Sequence, residues 1–183
     1  MKKLLLIIAI SILSFSVNAE SRFGDLTEMR DERMRGKDGK WVRPHPGPFI
    51  WNGIERTQGV FSWEQTDKYV AYAQEHNQKT LATIWPHANW EQKSCKRRKA
   101  SSPFGRKFTK YLSKPCSMDN YKIFLIKLVD RYDGDGKNDM PGLTKPIKHW
   151  QIMNEPEFKM FFKGKEEEFV EIFNFSSELI RSK

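Results

Sequence analysis

Short apolar runs alternate with amphipathic helical patterns along this chain, and that alternation limits the fold more than any single motif. Trp41-Val42-Arg43 opens a short strand that Pro44, Pro46 and Pro48 cannot continue, because proline supplies no ladder donor. Ser62 followed by Gln65 has the form of a capping box and starts a helix running to about His76, with Asn77 as a left-handed stop. Thr80 to Trp85 is a continuous apolar strand of the kind buried on both faces of a parallel sheet. Tyr121, Phe124, Leu125, Leu128, Val129 and Tyr132 recur at helical spacing, and Ile147 to Met153 is the next strand. Phe169, Ile172, Phe173, Ser176, Leu179 and Ile180 mark a final helix, with Glu166, Glu167 and Glu168 suited to its positive N-terminal end. Strand and helix in strict alternation predict parallel strands joined by crossover helices, an α/β architecture.

The ends and the charged segments set the organisation. Met1 to Ala19 reads as a cleavable export signal: Lys2 and Lys3 lead an apolar run from Leu4 to Phe15, and Val17-Asn18-Ala19 is a small-x-small cleavage site. The run is shorter than the ~20 residues that span a bilayer, so no membrane association is expected after cleavage, and an uncleaved anchor is the alternative. The mature chain is expected to be secreted or periplasmic. Residues 20–40 are highly charged with little periodicity and form an expected lead-in, which places the folded domain at 41–183. The formal net charge of +9 is concentrated in Lys93, Lys96, Arg97, Arg98, Lys99, Arg106, Lys107, Lys110 and Lys114. Such a patch raises nucleic acid as a partner, but an exported chain without a recognition motif argues against it. A solvated basic loop is expected, with a polyanion ligand as the alternative. Cys95 and Cys116 bracket this segment and are expected to pair in an oxidising compartment.

Parallel α/β sheets bind ligands at the carboxyl ends of their strands. The first strand delivers Arg43 and His45 there, the second Trp85, His87, Asn89 and Trp90, and the third Asn154, Glu155 and Glu157. That mixture suits carbohydrate: aromatic faces stack on sugar rings, amides and imidazoles bond hydroxyls, and a carboxylic acid protonates a glycosidic oxygen. Trp41 is expected in the core.

The stretches Arg43 to Asn52, Trp63 to Tyr69, Ile84 to Trp90, Arg131 to Gly136 and Trp150 to Glu157 together resemble the N-terminal half of a retaining glycoside hydrolase. The group is the large clan of (β/α)8-barrel enzymes that contains cellulases, xylanases, β-galactosidases and β-xylosidases. The resemblance implies an incomplete (β/α)8 TIM barrel of about the first four βα units, acting on a β-linked poly- or oligosaccharide with no cofactor and no metal. It makes Glu155 the general acid/base and Asn154 the ligand of the sugar 2-hydroxyl, with Arg43 and His87 ringing the centre. Trp85, Trp90 and Asn89 are the further substrate contacts expected from the strand ends.

Retaining chemistry needs a second carboxylate ~5–5.5 Å from the first. In the clan it ends the seventh strand, and nothing in this sequence matches that position. Glu157 shares a loop with Glu155, and Glu55 and Glu91 have no pattern behind them. The chain is therefore expected to be truncated and inactive alone, with open sheet edges that favour self-association. A non-catalytic carbohydrate-binding protein is the alternative. Asp133 to Asp139 resembles part of a calcium loop but lacks acidic ligands at its first and twelfth positions, so an Asp/Gly turn is expected.

Overall fold

A computed structural model describes residues 24–27, 40–95 and 109–183. The proposed leader and six of the basic residues, Lys96 to Lys107, lie outside these. Four strands, β1 (Gly24–Thr27), β2 (Trp41–Pro44), β3 (Lys79–Ile84) and β4 (His149–Ile152), form one sheet in the order β1-β2-β3-β4. Every neighbouring pair is parallel. The helices are α1 (Trp51–Ile54), α2 (Glu64–Glu75), α3 (Asn89–Ser94), α4 (Met118–Asp130) and α5 (Glu166–Arg181).

Two boundaries differ from expectation. Strand β1 lies inside the charged lead-in and pairs in register with β2, Leu26 opposite Arg43. Four residues containing one large apolar side chain carry too little period-2 signal to stand out from the surrounding charges. Helix α2 begins at Glu64 rather than after a Ser62 cap, with Trp63 at the N-cap and no side-chain cap bond. Ser62 is drawn the other way, its backbone N–H bonding the Ile54 carbonyl at 2.8 Å. Asn77 closes the helix in the left-handed region, φ 57°.

Strand alternation gives the sheet two unlike faces. Val42, Ala82, Ile84 and Ile152 point toward the helices and are buried. The dominant core lies there: Trp51 stacks on Phe124 with centroids 5.3 Å apart and meets Tyr121 at 5.6 Å. Helix α4 buries Tyr121, Phe124, Leu125, Leu128 and Val129, one stripe of its surface, and Ser117 caps it by accepting the Asn120 N–H. The Tyr121 hydroxyl and Ser176 Oγ, 2.9 Å apart, join α4 to α5. The opposite face is more open, although Thr83 on it is buried. Leu26, Lys79 and His149 are exposed there, and Trp41 is half-buried rather than in the core. Trp41 meets the His149 ring edge-on at 4.6 Å, and the Lys79 ammonium lies over it at 5.4 Å.

Cys95 and Cys116 form a disulfide with a Cα–Cα distance of 5.8 Å. A loop of this length contributes ~3 kcal/mol in the chain-entropy picture. Buried Glu91 on α3 reinforces the same closure, its carboxylate accepting the N–H groups of Cys116 at 2.9 Å and Ser117 at 2.6 Å.

Candidate active site

The more open face of the sheet carries a connected polar network. Arg43 on β2 donates from Nε to Gln151 Oε1 at 2.8 Å and from Nη2 to Asn154 Oδ1. Thr83 on β3 donates to the same Gln151 oxygen at 3.2 Å, and Gln151 Nε2 lies 3.5 Å from Asn154 Oδ1. Arg43 and Gln151 sit two strands apart, about 9–10 Å of sheet, which a guanidinium on a three-carbon stem can bridge. Arginine has no acceptor, so both amide oxygens must face it. The Asn154 Nδ2 group is left as a donor at the end of β4. Among the described residues the partners of Arg43 are the neutral amides of Gln151 and Asn154.

The backbone after β4 explains why this geometry forms. Met153 and Glu155 both have positive φ, 60° and 45°, in the left-handed region that side chains other than glycine's rarely adopt. Each such residue costs on the order of 1 kcal/mol or more and concentrates at functional sites. The Met153 N–H bonds the Ile84 carbonyl at 2.9 Å, and the chain then turns within one residue. A second turn follows, closed by Phe158 N–H to Glu155 C=O at 3.0 Å. Glu155 itself is exposed, and among the described residues its carboxylate has no hydrogen-bond or ion-pair partner. Glu157, two residues on, is exposed in the same turn.

The other expected substrate contacts lie elsewhere. His87 is buried at 1% exposure, its Nδ1 3.2 Å from the Ser113 carbonyl and its ring stacked on Phe162. Burial pushes its pKa down to about 4 against the opposing pull of the Ser113 and Phe161 carbonyls, so the imidazole is neutral at pH 7. Trp85 is buried against Ile50 and Phe161, with its indole N–H on the Pro46 carbonyl at 2.7 Å. Trp90 packs edge-on against Trp51 and donates to the Glu55 carbonyl at 2.9 Å. Asn89 opens α3 rather than a free rim, and its Oδ1 accepts from Thr109 Oγ1 at 3.0 Å and Lys110 N–H at 2.6 Å. Residues 49–51 pack over the end of β3, Ile50 against Trp85 and Trp51 against Trp90, with Trp51 N–H on the Trp85 carbonyl at 3.1 Å, while residues 109–113 engage His87 and Asn89. Glu55 and Glu91 are likewise engaged, Glu55 accepting from the Trp51 indole at 2.6 Å and from Gly59 N–H at 2.6 Å.

Gln151 and Thr83 belong to the site, and the motif reading missed them. The available signal was Gln151 itself, a polar residue inside Trp150-Gln151-Ile152-Met153 and two positions from exposed His149. Replacing Arg43 with methionine is expected to cost about 1–3 kcal/mol, because two amide oxygens lose a charged donor. Urea unfolding of the variant against the parent measures it.

The Asp133–Asp139 turn brings the carboxylate oxygens of Asp133, Asp135 and Asp139 within 4.8 Å of one another. They are largely used within the turn: Asp139 accepts the N–H groups of Gly134 and Gly136, Asp133 that of Asp135, and Asp135 that of Lys137. Partial burial, with the charges of Asp135 and Asp139, raises the Asp133 pKa above the usual carboxylate value.

The fold is similar to that of solved glycoside hydrolases. A monomeric β-xylosidase from Caulobacter crescentus CB15 matches with a TM-score of 0.57 at 15% identity, over 79% of this chain and 28% of that one. A glucosidase from Croceicoccus marinus matches with a TM-score of 0.55 at 14% identity, over 79% and 28%. A further β-xylosidase from Caulobacter crescentus gives 0.56 at 13% identity, over 79% and 31%. The chain thus spans under a third of the length of these proteins. No protein-family model matches the sequence, and no curated protein matches it. The likeness is one of fold: a mixed α/β chain with a small parallel sheet, similar to part of a TIM-barrel glycoside hydrolase.

Proposed function

We propose that this chain carries the acid/base half of a retaining glycosidase site for a β-linked poly- or oligosaccharide. Glu155 is the general acid/base, protonating the glycosidic oxygen, and Asn154 donates from Nδ2 to a sugar hydroxyl. The observation that carries this reading is the Arg43-Gln151-Asn154 network, which fixes that amide beside Glu155 at the mouth of β4. The half-buried Arg43 guanidinium supports it, because a cation at the strand ends favours an anionic group nearby.

The 183-residue chain alone has no turnover in this reading. Glu55 and Glu91 are committed to indole and backbone donors, and Glu157 shares the turn of Glu155 instead of facing it across a substrate. The site then retains saccharide without cleaving it, which is also the non-catalytic reading. The chain is exported, with cleavage after Ala19, and uses the outer edges of β1 and β4 for self-association.

Purified mature chain assayed on aryl β-xylosides and β-glucosides is expected to release no phenol above a Glu155→Gln control. NMR titration with xylo-oligosaccharides, followed at the Arg43 Nε–H and Gln151 side-chain resonances, is expected to saturate and to weaken about tenfold or more on Asn154→Ala. Turnover lost on Glu155→Gln would overturn the claim of inactivity. Absence of binding to any β-linked oligosaccharide would overturn the site itself.

A further inference from the structure

We infer that two copies of this chain pair through the outer face of helix α5, antiparallel about a twofold axis beside Phe173. This surface is distinct from the sheet edges and from the Arg43-Asn154-Glu155 region, and it does not depend on the reading of Glu155.

The apolar residues of α5 divide between two sides of the helix. Ile172 and Ser176 are buried in the core, and Phe175 meets Tyr121 of α4 at 6.1 Å. A second stripe is left open. Val170 and Phe173 are each 46% exposed, and among the described residues they are the only exposed large apolar side chains one turn apart on a helix. Phe169 adjoins Phe173, with ring centroids 6.1 Å apart, and both Phe169 and Ile180 are half-buried against the core. Val170, Phe173, Ser177 and Ile180 follow at steps of three, four and three, the spacing of a helix–helix seam. Scattered exposed apolar residues are ordinary, but a row at this spacing is the pattern that a second helix covers.

Charge identifies the helix that covers it. Glu166 and Glu167 stand at the N-terminal end of α5 and Arg181 at the other, all exposed. Among the described residues none of the three has an ion-pair partner, whereas Glu171 is paired with Lys114 and Lys183 with Asp130. The seam residues between these ends are uncharged. A helix with an acidic end, an apolar middle and a basic end is complementary to itself when reversed. The midpoint between Glu166 and Arg181 falls between Phe173 and Asn174, and so does the midpoint between Val170 and Ser177. One axis there sets Glu166 against Arg181 of the second copy, Val170 against its small Ser177, and the two Phe173 rings side by side.

The 16 residues of α5 span about 24 Å. One helix pair of that length covers less than the ~1,200 Å² at which stable interfaces begin, so the dimer is a weak one, with a dissociation constant on the order of 100 μM.

Sedimentation velocity of the purified mature chain, from about 10 μM to about 1 mM, measures the equilibrium. A concentration-dependent shift from monomer to dimer is expected. Phe173→Glu sets like charges together at the axis and is expected to weaken dimerisation about tenfold or more. Glu166→Lys and Arg181→Glu are each expected to weaken it about threefold to tenfold, and the double variant to restore the parental value, since the exchanged ends match again. All three positions are exposed, so the urea midpoints are expected to stay near that of the parent. A chain that stays monomeric across the range overturns the proposal. Dimerisation that persists in Phe173→Glu also overturns it and places the contact on another surface, such as the edges of β1 and β4. Single charge variants as tight as the parent, or a double variant no tighter than the single ones, overturn the antiparallel pairing.

Discussion

Trp51→Ala is expected to destabilise the chain by about 3–5 kcal/mol, the range for deleting a large buried aromatic side chain. Trp51 has no exposed surface, stacks on Phe124, and contacts Tyr121 and Trp90. Its indole N–H also satisfies buried Glu55, whose other oxygen holds Gly59. Deletion therefore opens a cavity and leaves a buried carboxylate short of a donor, two costs that act in the same direction. Trp51→Phe separates them, since it restores most of the volume and none of the hydrogen bond; a loss of about 1–3 kcal/mol is expected. Urea denaturation followed by far-UV circular dichroism at pH 7 measures both. The backbone at this position carries the link from α1 to the end of β3, through Trp51 N–H to Trp85 C=O and Asn52 N–H to His87 C=O. Loss of the core side chain is thus expected to loosen the end of β3, the strand between Arg43 on β2 and Gln151 on β4. A variant within 1 kcal/mol of the parent would show that this aromatic cluster is not the main support of the core.

Acidification from pH 7 to pH 4.5 is expected to remove about 2–3 kcal/mol of stability through His87 alone. Its folded-state pKa is about 4, against an ordinary value of 6.5, because burial disfavours the charged form. Above pH 6.5 both folded and unfolded states hold a neutral imidazole, and the group makes no difference. Between 6.5 and 4 the unfolded chain takes up the proton and the folded chain does not, so stability falls with pH. Below 4 both states are charged and the loss levels off. His87→Phe keeps an aromatic ring against Phe162 and removes the titration. The gap between parent and variant in urea midpoint at pH 7 and at pH 4.5 isolates this contribution from carboxylates that titrate in the same range. An unchanged gap between the two pH values would show that the imidazole is accessible to protons in the folded chain.

Much of the framework was legible in the residues. The stripe from Tyr121 to Val129 specifies α4 because periodicity and burial coincide there; the run from Phe169 to Ile180 specifies α5, with Ile172 and Ser176 buried and Phe173 exposed, and the apolar run from Thr80 to Ile84 specifies a central strand. The parallel order of the strands follows from their alternation with helices. Strand β1 was hidden because its pairing energy comes from the β2 backbone rather than from its own side chains. The site was legible in part. Asn154 stood out through its neighbours Glu155 and Pro156. Its partner Gln151 did not, since a lone amide in a strand has no meaning until Arg43 is known to reach across two strand spacings. Position after a strand end also gave no warning that Trp85, His87, Asn89 and Trp90 face inward. That outcome depends on two segments distant in sequence, 49–52, which bonds the end of β3, and 109–113, which meets His87 and Asn89.

The closure between α3 and α4 has a consequence for how this protein can diverge. The disulfide and the Glu91 carboxylate fix both ends of the intervening segment to nearly one point. The spacing of α3 and α4 is therefore held by the closure itself, so changes of sequence within 96–108 are expected to leave it untouched, which makes those positions the natural place to graft a foreign peptide.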